Sequence, residues 1–216
     1  MTKKNLIYII LGFILTFAFL YLVYNVINQN QLTALQEITK IKPTDHIKWA
    51  QDKKNVLIEY SDFQCLACKA FHDYLKKEIE ATDSGGLAIR KKVTFVFRHF
   101  PLYQIHISAF KSASTAEAAG RQGKFFEMVD LLYSHQDQWI NSPNKQSVFI
   151  NFAQQLKLDT KKFKKDLGSK EVQDKVNNDL QSGNDAGINS TPTLFLNGKK
   201  LEPTSFDQLK KLLLSL

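Results

Sequence analysis

The sequence predicts an α/β domain with an inserted helical subdomain, behind a single N-terminal transmembrane helix. Three observations predict it. The chain opens on an apolar stretch without charge. A strand pattern then runs directly into the only two cysteines and a helix. After a long helical region, the chain closes with a strand, a hairpin and a last helix.

Leu6 to Tyr24 carries no charged residue and only Gly12 and Thr16 as soft interruptions. Extended to Ile27, it is long enough for a bilayer core, which takes about 20 apolar residues. Tyr8, Tyr21 and Tyr24 lie toward its ends, as interfacial anchors do. A cleaved signal peptide would have a shorter apolar region and a small-x-small cleavage site. Here Val26-Ile27-Asn28-Gln29 follows, so residues 1–27 read as a cytoplasmic stub and an uncleaved anchor in membrane lipid. Lys3 and Lys4 precede the span and the next cation is Lys40. That asymmetry puts the N-terminus in the cytoplasm and residues 28–216 outside the cell membrane, in a single pass. Asn28 to Thr44 is polar, with Pro43 near its end, and reads as an irregular tether.

With 216 residues, 44% of them hydrophobic and 16 of them phenylalanine, the chain has material for one domain with a real core. Without Lys3 and Lys4 there remain 27 basic and 21 acidic residues, a net +6, which suits a negatively charged membrane or wall surface. The lysines are scattered in pairs, with no basic stripe interleaved with aromatics, so no nucleic-acid partner is expected.

Asn55 to Tyr60, rich in β-branched and aromatic residues, is a strand candidate. Cys65-Leu66-Ala67-Cys68 follows, and Cys68, Phe71, Leu75 and Ile79 recur at helical spacing behind it. A strand feeding a helix whose first turn carries Cys-x-x-Cys is a redox context. Unpaired amide N–H groups and the positive end of the helix dipole favour a thiolate there. Helix geometry leaves Cys65 at the tip and turns Cys68 inward, so one sulfur attacks and the other resolves. Half a zinc site is the competing reading. Such sites close with four ligands, and His72, at Cys68+4, adds one nitrogen and leaves the set short. Outside the membrane structural disulfides are allowed, yet both sulfurs belong to the motif.

The remaining elements follow in order. Asp83-Ser84-Gly85-Gly86 reads as a loop. Val93 to Phe100 reads as a buried strand stopped by Pro101. Gln104 to about Ala186 is helical, with Ser142-Pro143 as one helix start and caps at Asp159 and Ser169. Thr193 to Leu196 is a strand, Asn197-Gly198 a hairpin turn, and Thr204 or Ser205 the cap of a last helix through Phe206, Leu209, Leu212 and Leu213.

This order of elements resembles the thioredoxin superfamily, specifically the DsbA-like thiol–disulfide oxidoreductases with a helical insertion, in their membrane-anchored bacterial form. The resemblance covers roughly Lys42 to Leu216. It is carried by Val56 to Cys68 (VLIEYSDFQCLAC), Phe97 to Leu102 (FRHFPL), Gln122 to Met128 (QGKFFEM) and Gly187 to Gly198 (GINSTPTLFLNG). It implies a thioredoxin-fold domain over residues 45–216 with its insertion at about 104–180. It further implies a redox-active Cys65–Cys68 pair, with Cys65 the nucleophile and Cys68 the buried resolving thiol. Thr191-Pro192 would be a cis-proline loop facing Cys65, and Glu59 a buried acid that relays a proton. Thr191, Pro192, Phe63, Leu66 and Ala67 would line the substrate face. No cofactor and no metal are implied.

Leu66-Ala67 stands where relatives often place a proline or a histidine, so only backbone and dipole are expected to hold the thiolate. Ser190 replaces a frequent glycine. His99 and His106 match family positions and read as packing or surface residues, and Arg98 as the partner of an unidentified acid. The expected activity is donation of disulfides to exported cysteine-containing proteins, with reoxidation by a membrane quinone-linked thiol oxidase of the DsbB or VKOR type. A disulfide reductase or isomerase is the alternative. From another class comes a thioredoxin-fold copper chaperone, which would want Cys-x-x-x-Cys and a distant histidine.

Overall fold

Five strands form one mixed sheet in the computed structural model, which describes residues 3–81 and 85–216. The strands are β1 (His46–Trp49), β2 (Asn55–Ser61), β3 (Val93–His99), β4 (Thr193–Leu196) and β5 (Lys199–Leu201), in spatial order β1-β3-β2-β4-β5. Central β2 runs parallel to β3, with Ser61 opposite His99, and antiparallel to β4, with Glu59 opposite Leu194. It is buried on both faces, with Leu57 toward one and Val56, Ile58 and Tyr60 toward the other. Asn197 and Gly198 turn the β4–β5 hairpin with φ of 49° and 80°, the positive values a two-residue hairpin turn needs. The edge strand β1 is not among the sequence expectations. Its four residues are only half-buried, and antiparallel pairing with β3 is what makes them a strand.

The first helix, α1 (Lys3–Thr39), contains a 22-residue apolar stretch, Tyr8–Gln29, long and apolar enough to cross a membrane. It corrects the irregular tether: the helix runs unbroken through residues 28–39. That stretch is polar but holds neither glycine nor proline, and polarity alone does not end a helix. Pro43 comes after the helix has stopped.

The helix behind the cysteines is α2 (Leu66–Tyr74), continued by a π-helical segment, Leu75–Glu80. Phe71, Leu75 and Ile79 are fully buried along it, at the spacing the sequence displays. Of the loop expected at 83–86, Asp83 and Ser84 lie outside the described residues. Gly85 and Gly86 instead open α3 (Gly85–Lys92), where burial of Ile89 offsets their low helix propensity.

Between β3 and β4 lies the insertion: α4 (Ala109–Gly120), α5 (Phe125–Ser134), α6 (Gln136–Asn141), α7 (Lys145–Gln155), α8 (Thr160–Leu167) and α9 (Lys170–Asp185). Asp159 and Ser169 cap α8 and α9, and Ser205 caps the last helix, α10 (Phe206–Leu214). Asn144, not Ser142, caps α7, accepting from the Ser147 amide, so Ser142-Pro143 belongs to the link after α6.

Side chains alternate across the sheet and divide the core. Leu57, Phe97 and Leu194 face α2, α10 and the insertion, with Met128, Leu132, Trp139 and Phe152. Val56, Ile58, Tyr60 and Phe195 face the other way, toward Phe100, Ile188 and Ile38 at the end of α1. Arg98 is wholly buried on that side. It donates to both oxygens of Asp45 (3.1 and 2.8 Å), to the Tyr60 hydroxyl (3.1 Å) and to the Lys40 and Ile38 carbonyls (2.7 and 3.4 Å).

Candidate active site

At the end of β2 the chain must turn sharply into α2, and Asp62 shapes that turn. Its carboxylate, wholly buried, accepts from the Gln64 amide (2.7 Å), the Leu102 amide (2.9 Å) and the His106 ring (2.8 Å). Asp62 O accepts from the Cys65 amide at 3.1 Å. Cys65 is thereby set as the N-cap of α2, partly exposed, while Cys68 one turn on is wholly buried; both carry free thiols.

Their environments push the two sulfurs apart. Cys65 is lowered from 9.0 to about 5, chiefly by the hydrogen bond from the Cys68 thiol, against the cost of partial burial. The Thr191 side chain and the Cys68 and Ala67 amides also favour the thiolate. Cys68 is pushed well above 9.0 by burial, by its bond to Cys65 and by the charge of Glu59. The Asp62 amide, 3.5 Å away, is a weak counterweight. The thiolate is thus held by more than backbone and dipole: the second cysteine supplies the donor that Leu66-Ala67 lacks.

Glu59 lies in mid-strand, 3% exposed, on the face it shares with Leu57 and Ser61. Burial raises it from 4.5 to about 7, and a hydrogen bond from Ser61 Oγ (2.5 Å) and the charge of Lys48 hold it from going further. Ser61 Oγ is in turn 2.8 Å from the hydroxyl of Tyr133 on α5.

Opposite Cys65, the Thr191–Pro192 bond is cis and Thr191 O lies 3.4 Å from Cys65 Sγ. Leu66 is 71% exposed and Ala67 is exposed beside it. A cleft of about 640 Å³ continues from Pro192 between Phe71, Lys200, Glu202 and Phe206. Phe63 departs from expectation. It is 1% exposed, stacked on Phe97 and packed against Tyr133, so it supports the loop from inside and cannot line a substrate face.

His72 pairs with Asp130 at 3.2 Å, and His99 with Glu117 at 2.8 Å. Four contributors are absent from the sequence expectations, Asp62, Ser61, Tyr133 and Gln136, while His106, expected as a packing or surface residue, pairs with Asp62. Gln136, from α6 and wholly buried, donates to the carbonyls of Phe63 (2.8 Å) and Cys65 (3.2 Å), gripping the cysteine loop from beneath. Asp62 has a local signal, an Asx turn former three residues before Cys65. The others become visible only once the insertion folds over the loop.

This sheet order, a helix opened by Cys-x-x-Cys and a facing Thr-Pro loop define a thioredoxin-fold protein with a dithiol site. A family model described as Thioredoxin matches residues 42–214, and the chain belongs to that family. Alpha-DsbA1 of Wolbachia pipientis has the same fold, with a TM-score of 0.65 and 24% identity over 83% of this chain and 95% of its own. So does the thiol-disulfide exchange protein alpha-DsbA2 of Wolbachia pipientis, with a TM-score of 0.68 and 17% identity over 88% and 96%. The Na(+)/H(+) antiporter NhaA 1 of Mycobacterium sp. (strain KMS) is 33% identical over 171 residues, which are 76% of this chain and 26% of the antiporter. The chain spans about a quarter of the length of the curated relatives it matches, so antiport is not carried over to it.

Proposed function

We propose that the chain is a membrane-anchored thiol–disulfide oxidoreductase that passes a Cys65–Cys68 disulfide to cysteine-containing exported proteins. The anchor is Tyr8–Gln29 and the catalytic unit residues 45–216. A substrate thiolate attacks Cys65 Sγ, the Cys65–Cys68 bond breaks, and Cys68 leaves and is protonated. A second substrate thiolate then attacks its own sulfur in the mixed disulfide, and Cys65 departs as a thiolate. Two electrons move from the substrate to the pair. A membrane quinone-linked thiol oxidase of the DsbB or VKOR type takes them on.

One observation carries this reading: the opposed shifts of the two sulfurs. Cys65, lowered to about 5, is a good leaving group at neutral pH, so the reduced pair is favoured and the disulfide is oxidising. Thr191, Pro192, Leu66 and Ala67 would receive the substrate chain, with Thr191 O beside the reacting sulfur.

Trapping tests it. Cys68→Ser is expected to accumulate mixed disulfides between Cys65 and exported proteins on non-reducing gels, because Cys68 can no longer attack Cys65 Sγ and release the bound chain. Cys65→Ser is expected to trap none. Equal trapping by both variants would overturn the division of labour. A wild-type motif found mainly as dithiol in growing cells would replace donation with reduction or isomerisation.

A further inference from the structure

Glu59, Ser61 and Tyr133 form one buried line, at 3%, 1% and 1% exposure. Ser61 Oγ donates to Glu59 Oε1 at 2.5 Å and lies 2.8 Å from Tyr133 Oη. The other contact of Tyr133 Oη is the Asp62 carbonyl, 3.4 Å away. A hydroxyl both gives and accepts a hydrogen bond. When Glu59 is ionised, Tyr133 donates to Ser61 and Ser61 donates to the carboxylate. When Glu59 is protonated, the line reverses: its O–H donates to Ser61 Oγ, Ser61 to Tyr133 Oη, and Tyr133 to the Asp62 carbonyl. Neither charge state leaves a buried O–H without an acceptor.

We propose that Ser61 and Tyr133 are positioning residues for the proton step, a donor relay from the helical insertion that keeps the buried Glu59 carboxylate able to ionise. The proposal rests on the reading of Glu59 as the group that exchanges a proton with Cys68. When the Cys65–Cys68 bond opens, a proton leaves Glu59 for Cys68 Sγ. When the bond re-forms, Cys68 returns the proton to Glu59 as its sulfur attacks. Without the relay, burial would hold Glu59 protonated and useless as an acceptor at neutral pH. The effect on Glu59 has the right sign: burial raises it, and the Ser61 bond is the first influence that lowers it.

Other charged and titratable groups surround the line. Lys48 on β1 favours the carboxylate and Cys65 opposes it. Cys68 and Asp62 act on Tyr133 from α2 and its entry loop. His72, paired with Asp130, lies with its ring 4.8 Å from that of Tyr133. From β3, His99 stands opposite Ser61 and is paired with Glu117. Removing the Tyr133 hydroxyl alters none of these charges.

The test uses full-length protein in detergent, loaded as a Cys65 mixed disulfide with a single-cysteine peptide. Release of the peptide by Cys68 is followed by stopped flow from about pH 5 to 8, the span in which a relay acid acts. In the wild type the rate should rise through an inflection set by Glu59. In Tyr133→Phe, which keeps the ring, the inflection should move to higher pH, with release slowed roughly threefold to tenfold near pH 6, as one lost hydrogen bond would do. Ser61→Ala should move it at least as far, and Glu59→Gln should abolish it. If Glu59→Gln abolishes the inflection while Tyr133→Phe follows the wild type, the relay is overturned and the Glu59 reading stands. If Glu59→Gln keeps the inflection, the Glu59 reading falls and the relay with it. A Tyr133→Phe variant with a lower melting temperature but an unmoved inflection is a purely structural effect and also overturns the relay.

Discussion

Between pH 4.5 and about 7 the folded chain keeps a proton on Glu59 that the unfolded chain has released. The native state binds more protons there, so stability falls as pH rises through that window and stays lower above it. A shift of this size corresponds to about 3 kcal/mol. Glu59→Gln is neutral at every pH. It is expected to be more stable than the reduced wild type at pH 8 by up to about 3 kcal/mol, and equal to it near pH 4, by urea unfolding. A constant difference across pH would mean that burial does not hold the Glu59 proton. Cys65 works in the opposite sense. Its folded value of about 5 lies below its ordinary 9.0, so the stability it lends the reduced form is full above pH 9 and is lost as pH falls through 5. The two residues divide the work: one carboxyl is held from ionising and one thiol is made to ionise.

At the scale of elements, α9 meets the sheet at Gly183. A Cβ there would lie 2.5 and 2.6 Å from the ring carbons of Phe100 and 3.3 Å from the Tyr60 ring. Phe100 in turn donates its amide to Ser61 O (2.8 Å). Gly183→Ala is expected to destabilise the fold by about 1–3 kcal/mol, because overpacking against a rigid ring outweighs alanine's better helix propensity. Thermal unfolding checks this, and a more stable variant would disprove the close fit. The elements legible in the sequence are those whose own pattern reports their burial. In β2 and β3 this is an apolar run, in α2 and α10 a helical period, and at Asn197-Gly198 a turn dipeptide. Illegible were β1, which owes its strand form to β3, and α3, which opens with two glycines. The length of α1 is not legible, because polar residues 28–39 look like a loop although nothing in them stops a helix.

Across the whole molecule, the candidate site was legible where a local motif carries it: Cys65, Cys68, Glu59 and Thr191-Pro192. It was illegible where the insertion reaches back over the loop, as Gln136 does to Cys65 across 71 residues. No periodicity encodes such a contact. Topology belongs to this scale too. Lys3 and Lys4 ahead of the Tyr8–Gln29 stretch, with no cation between it and Lys40, set the expected orientation. Protease added to intact, wall-stripped cells is expected to remove the domain, and complete protection would reverse the assignment. Arg98 then acquires a mechanical meaning. It bolts the carbonyls of Ile38 and Lys40 to the sheet, and from Gln29 to Thr39 the chain is helix, about 15 Å of it. With α1 as the proposed anchor, the domain rides a short stiff mast instead of swinging on a string. On that proposal its search for partners would be a drift in the plane of the bilayer, favouring polypeptides still close to the surface.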